Sequence, residues 1–225
     1  MTDNPGSAII AAMLETYQDY LDMVEDDATS SGIADFRLAR EEFHNASGKF
    51  EDGEPWFELR MKMFIEWYLL DRVGPAGMTP IESFIVTRGG DFSPRERVQL
   101  EQLTATLRSV FRITRTKGAS LAFEDLALGG VWEVESTTPT AGLERDDIIQ
   151  TRIIDFNDKL IICYGTVLHP KEAREAVISI IARAKAEGMP NRELVDHLDK
   201  MRLKLDRYSN VRINHIYRYP TDAPF

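Results

Sequence analysis

Residues 56–70 read WFELRMKMFIEWYLL, the densest apolar stretch of the chain. Trp56, Leu59, Met63, Trp67 and Leu70 recur at helical spacing, and Phe57, Met61, Phe64 and Tyr68 form a second stripe. Two stripes leave only a narrow polar ridge, Glu58, Lys62 and Glu66, spaced four apart and alternating in sign. A helix apolar on most sides is normally central to a core. Enclosing each large side chain contributes about 1.5–3 kcal/mol. The rest of the chain must therefore supply elements that wrap this segment.

Those elements are legible on both sides. Over residues 7–26, Ile10, Leu14, Tyr17, Leu21 and Val24 lie at steps of four, three, four and three, one helical face. The run DDATSSG at 26–32 is expected to end that helix, and Ile33, Phe36, Ala39 and Phe43 mark a weaker one over 33–47. After the central helix, Gly74-Pro75 is a stop. Thr79-Pro80-Ile81-Glu82 and Ser93-Pro94-Arg95-Glu96 are capping boxes with proline at the first helical position. The first predicted helix ends near Gly89-Gly90 and the second near Ser109.

From Val110 the period changes. VFRITRT, SLAFEDL, VWEVES, DIIQTRIIDF and KLIICYGTVL are rich in branched and aromatic residues. Turn residues separate them at Lys117-Gly118, Gly129-Gly130, the Pro139 to Asp146 loop and Asn157-Asp158. Five strands in sequence suggest an antiparallel meander rolled into a small barrel. After His169-Pro170, Ala173, Val177, Ile180, Ile181 and Ala184 share one face. Leu194, Leu198, Met201, Leu205 and Tyr208 share another beyond the break at Gly188-Met189-Pro190. That pair predicts a helical hairpin. The expected fold is α+β: an α-helical part over 1–108, a five-stranded antiparallel small β barrel over 109–168, a helical hairpin over 169–208 and an extended tail over 209–225.

The strings FIEWYLLDR (Phe64 to Arg72), Met78-Thr79-Pro80-Ile81-Glu82-Ser83-Phe84 and Ser93-Pro94-Arg95-Glu96-Arg97, followed by the strands after Val110, carry a resemblance. Residues 56–166 resemble the helical segment and small β module found upstream of zinc-binding SEC-C motifs in some uncharacterised bacterial proteins. The resemblance implies a bacterial origin and this fold outline. A SEC-C motif needs clustered cysteines, and Cys163 is the single cysteine here, so zinc and the adaptor role of that motif are not carried over.

Charge is polarised. Residues 1–54 hold thirteen acids against three bases, which accounts for the whole net charge of −10, while 55–225 hold 24 of each sign. Between Lys200 and Arg218 there are six bases and one acid, Asp206. Such a field steers partners without dictating fold. No apolar run reaches the ~18–20 residues of a membrane helix. The start of the chain lacks the basic and apolar regions of a signal peptide. With one cysteine there is no intrachain disulfide, and a cytoplasmic location is expected.

Each candidate for chemistry has a plainer account. Glu41-Glu42-Phe43-His44 contains Glu-x-x-His, but the second copy that a bundle metal site needs is missing. Asp196-His197 are adjacent and point apart. Cys163 lies inside a predicted strand, where cysteine is usually an apolar filler. Of the histidines at 44, 169, 197 and 215, none forms a readable set with it. No nucleophile elbow, P-loop or dinucleotide fingerprint occurs. Glu124-Asp125 and Asp146-Asp147 read as strand ends and loops. No catalytic residue, metal or cofactor is therefore assigned.

The basic end is the remaining candidate. Arg202, Lys204, Arg207, Arg212 and Arg218 interleave with Tyr208, Tyr217 and Tyr219, and we take Arg202, Lys204, Arg207, Tyr208, Arg212, Tyr217 and Arg218 as the partner-binding set. Cations beside aromatics suit single-stranded nucleic acid. A pI near 5.0 opposes phosphate and favours protein contact, either with an acidic partner or with the acidic N-terminal helices of the chain itself. The expected function is a non-enzymatic regulatory or adaptor protein. RNA or single-stranded DNA binding, and an enzyme with a site built from dispersed residues, are the alternatives.

Overall fold

A computed structural model describes residues 5–117, 120–135, 142–208 and 210–222. Among them are seven α-helices, two short 3-10 turns and six strands in an α+β arrangement. Helix α1 spans Pro5–Ser47, α2 Phe57–Leu70, α3 Pro80–Arg88 and α4 Pro94–Gln102. Strands β1 (Leu107–Lys117), β2 (Ser120–Asp125), β3 (Val131–Glu135), β4 (Ile148–Phe156), β5 (Lys159–Ile162) and β6 (Val167–Leu168) follow, then α5 (Arg174–Glu187), α6 (Asn191–Arg207) and α7 (Ile213–Ile216).

Both capping boxes form. Thr79 and Ser93 accept from the backbone N–H of Glu82 and Glu96, and each glutamate accepts from the N–H of its cap residue. The two helices at 7–26 and 33–47 abut instead of being separated by a loop. Helical backbone continues through the acidic run to Ser31 and breaks only at Gly32, whose φ and ψ are −156° and 48°. Thr29 and Ser30 hydroxyls donate to carbonyls one turn back, a bonding pattern that bends helices and here precedes the break at Gly32. Helix α4 stops at Gln102, short of the expected end, and β1 already begins at Leu107.

Helix α2 is enclosed as its two stripes demand. Met63, Phe64, Trp67, Tyr68 and Leu70 are buried, packed against Ile10, Leu14, Tyr17 and Leu21 of α1 and Ile81 and Phe84 of α3. Phe64 touches the rings of Phe36, Phe43, Trp67 and Tyr68. The polar ridge departs from expectation. Glu58 and Lys62 are exposed, whereas Glu66 is buried, as is Arg60 elsewhere on the helix.

The sheet is antiparallel and curls into a half-barrel with strand order β3-β2-β1-β4-β5, and β6 pairs with β4. It is not a simple meander, because β4 returns to pair with β1. Ile148, Ile149, Ile153, Ile154 and Phe156 give β4 apolar residues on both faces, and such a strand belongs in the middle of a sheet. Asn157 and Asp158, both at positive φ, make the two-residue β4–β5 hairpin turn. Of the predicted Pro139 to Asp146 loop, residues 139–141 lie outside the described residues, as do Gly118 of the first turn, Ser209 and the last three residues of the tail.

The predicted helical and β segments share cores. The α1–α4 cluster includes Ile154, Phe156, Ile161, Cys163 and Val167, and the α5–α6 cluster includes Val110, Ala127 and Ile148. The tail is not extended. It forms α7 and buries Ile216, Tyr217 and Tyr219 against α5 and α6. Among the described residues no helix is long and apolar enough to cross a membrane.

Candidate anion-binding groove

Helix α6 has two working faces. Leu194, Leu198 and Met201 point into the core, while His197, Lys200 and Lys204 share the adjoining face, three and four residues apart. After Tyr208 the chain turns back along that face. It is pinned there at successive points. The Arg218 backbone N–H donates to Met201 Sδ at 3.1 Å, and His197 Nε2 lies 2.6 Å from the Arg218 carbonyl oxygen. Tyr217 Oη is 2.8 Å from His169 Nδ1, whose Nε2 is 2.5 Å from Gln150 Oε1. Burial, followed by the charges of Arg202 and Arg60, lowers the His169 pKa to about 3. The ring is therefore neutral, donating to Gln150 and accepting from the tyrosine hydroxyl. Arg183 closes the end of the tail: it donates to Thr221 and Asp222 and lies 4.1 Å above the Tyr219 ring.

Helix and tail enclose a groove of about 570 Å³. Lys200, Lys204, Arg218, His197 and His215 line it, with Met201, Ile216, Val211 and Pro220 as the apolar surface. Among the described residues Asp222 is the one acid lining it, and its carboxyl is held low by the hydrogen bond from Arg183. Lys200 donates to the Asn45 carbonyl oxygen, and neither Lys200 nor Lys204 has a carboxylate partner among the described residues. Two like charges one turn apart on a helix cost about 0.2–0.5 kcal/mol. Burial and the two lysines depress the His197 pKa, with the Arg218 carbonyl opposing. The arrangement concentrates positive charge in one cleft of a chain whose net charge is −10.

The seven residues read from the sequence divide. Lys204 and Arg218 line the groove. Tyr208 and Arg212 are exposed nearby. Arg202 is occupied by Asp206 and the Leu168 carbonyl, and Arg207 by Glu54 and the Lys49 carbonyl, so part of the basic end does meet the acidic N-terminal region. Tyr217 is 3% exposed and works as a strut, not as a surface contact. Lys200, His197 and His215 complete the groove. The spacing of His197 and Lys200 on α6 was visible in the sequence, but the turn that brings the tail, with His215 on α7, back onto them was not.

A second charged assembly lies buried between α2, α6 and the sheet. Arg152 on β4 bonds Asp71 through both terminal nitrogens and Thr106 through one, with its Nε 3.6 Å from Glu66 Oε2. Arg108 on β1 donates to Asp196 at 2.8 Å and Asp199 at 2.6 Å, and Arg60 donates to the Asp199 carbonyl at 2.7 Å. Despite desolvation, Arg152 holds Asp71 below the ordinary carboxylate range. Desolvation wins at Glu66, whose pKa is raised even with Arg152 beside it and the Tyr17 hydroxyl donating at 3.3 Å. Cys163 shares that pocket, and burial, with Glu66, pushes its thiol well up, which suppresses the nucleophilic thiolate.

The Glu66 shift has a testable sign. A carboxyl whose folded pKa exceeds its unfolded value binds more protons when folded, so its ionisation lowers stability as pH rises through that interval. Glu66→Gln removes the effect. The urea midpoint of the variant relative to wild type rises between pH 4.5 and pH 8, starting at the ordinary value of 4.5. Parallel curves would refute the assignment.

The other sequence candidates are structural. Glu42 pairs with Arg72, His44 packs on Phe50, and Asp196 pairs with Arg108. Glu124 pairs with Arg112, and Asp125 accepts from Ser109 and from the backbone N–H groups of Ala127 and Leu128. Asp147 accepts from the Glu144 N–H. Among the described residues no three His, Cys, Asp or Glu side chains converge as a metal site would require. Compared with known proteins, the chain matches no family model, no curated protein and no solved structure.

Proposed function

We propose that the chain is a non-enzymatic adaptor or regulatory protein of the cytoplasm that docks an acidic segment of a protein partner between α6 and the tail. The observation that supports this most directly is the pair Lys200 and Lys204, which line a groove of about 570 Å³ and have no carboxylate partner among the described residues. The groove couples that charge to exposed apolar side chains of Val211 and Pro220, with Met201 and Ile216 buried behind them, which suits a peptide carrying both acids and apolar residues. Single-stranded nucleic acid binding relies on successive exposed aromatic platforms. Here Tyr217 and Tyr219 are buried, and of the three tyrosines only Tyr208 is open, at 58%.

Fluorescence anisotropy at low salt tests the reading. A labelled peptide of glutamate, aspartate and leucine is expected to bind, more weakly as ionic strength rises, and single-stranded RNA of equal length to bind less well. Reversing both charges, Lys200→Glu with Lys204→Glu, lowers peptide affinity on the order of tenfold or more, equivalent to at least ~1.4 kcal/mol. Tighter binding of RNA, or peptide binding indifferent to the reversal, would overturn it.

A further inference from the structure

We infer that the groove reads spacing: it accepts an extended segment with carboxylates at positions i and i+2 flanking an apolar residue. This rests on the acidic-partner reading above and adds the geometry of the ligand. Lys200 and Lys204 lie one turn apart on the same face of α6, about 6 Å along its axis at ~1.5 Å per residue. In an extended chain, side chains on one side recur every second residue, at about 6.6 Å. The two periods coincide, so one carboxylate is in register with each lysine, and the Lys200 ammonium exchanges the Asn45 carbonyl for the ligand.

The side chain between the two acids points the other way, toward the tail. There it meets the exposed Val211, with Ile216 and Met201 largely buried behind the groove lining. The Arg218 backbone lies against the His197–Met201 turn of α6, while its Nε donates to the Asn214 carbonyl. From His197 to Lys204 the helix wall runs about 10 Å, the length of three extended residues. A helical ligand could also present acids about 6 Å apart, at i and i+4, but a short segment in water must first bear the unfavourable nucleation of the helix.

The test uses three peptides of identical composition, with two glutamates either adjacent, separated by one leucine, or four positions apart, titrated into the full chain. The i, i+2 peptide is expected to bind about five- to tenfold tighter than the others. That preference is lost in Lys200→Ala and in Lys204→Ala, while a non-specific affinity for acid remains. Lys204 is exposed, and the Lys200 ammonium bonds only a carbonyl, so both variants keep the fold, checked by their urea midpoints. Equal binding of all three peptides would overturn the spacing rule and leave the acidic-partner reading standing. Tightest binding by the i, i+4 peptide would replace the extended ligand with a helical one and so overturn the inference. Failure of all three to bind would overturn both.

Discussion

Arg152→Ala is expected to cost about 3–5 kcal/mol of folding stability at neutral pH, read as a shift of the urea or guanidinium unfolding curve. Arg152 is among the largest fully buried side chains of the molecule. Its guanidinium is the common partner of Asp71, Glu66 and Thr106. Deleting it leaves two carboxyl groups in a low-dielectric seam with their main counter-charge gone. The loss is that of uncompensated buried acid, which exceeds the net worth of the intact pair. Arg207→Ala makes the contrast. Its bond to Glu54, at 2.7 Å, is of ordinary length but lies toward solvent, where such pairs are worth ~0–1 kcal/mol. Similar losses for the two variants, or a loss under about 1 kcal/mol for Arg152→Ala, would show that the seam is hydrated and not sealed.

Phe64→Ala is expected to be of similar size, about 3–5 kcal/mol, for a different reason. The ring is fully buried and meets Phe36, Phe43, Trp67 and Tyr68, residues supplied by α1 and α2. Removing it forfeits apolar burial and opens a cavity that stiff aromatic neighbours cannot refill. Val86→Ser, at a site 72% exposed on α3, should stay within about 0.5 kcal/mol. Denaturant melts of the two variants side by side decide it: equal, small effects would mean that α2 is not the centre of the core. The two large effects differ in pH response. Loss of Phe64 is independent of ionisation. Loss of Arg152 is greatest where Asp71 is charged, because a depressed folded pKa contributes stability above the unfolded value of 3.8 that disappears as pH falls through the folded one.

The seam also explains how the parts of the chain are joined. Arg152 ties β4 to α2, Arg108 ties β1 to α6, and Arg60 ties α2 to α6. Two of these links hold α6, the helix that presents Lys200 and Lys204, to β1 and α2.

Local chemistry alone determined much of this protein. The capping boxes at Thr79 and Ser93, the apolar stripe from Ile10 to Val24, the two faces of α2 and the Asn157-Asp158 turn all follow from interactions within a few residues, which is why they can be read along the chain. Tertiary structure decided the rest. Whether Glu66 and Arg60 would face water or the sheet, and whether β4 would pair with β3 or β1, depended on partners far away in sequence. So did the fate of Tyr217, which became a strut because His169, 48 residues earlier, waits beneath it. The basic character of residues 200–218 was written in the composition. Which of those charges remain for a ligand was settled only when Glu54, Asp206 and the carbonyls of Lys49 and Leu168 took Arg207 and Arg202, because the choice of charge partner is a long-range contest that no local pattern records.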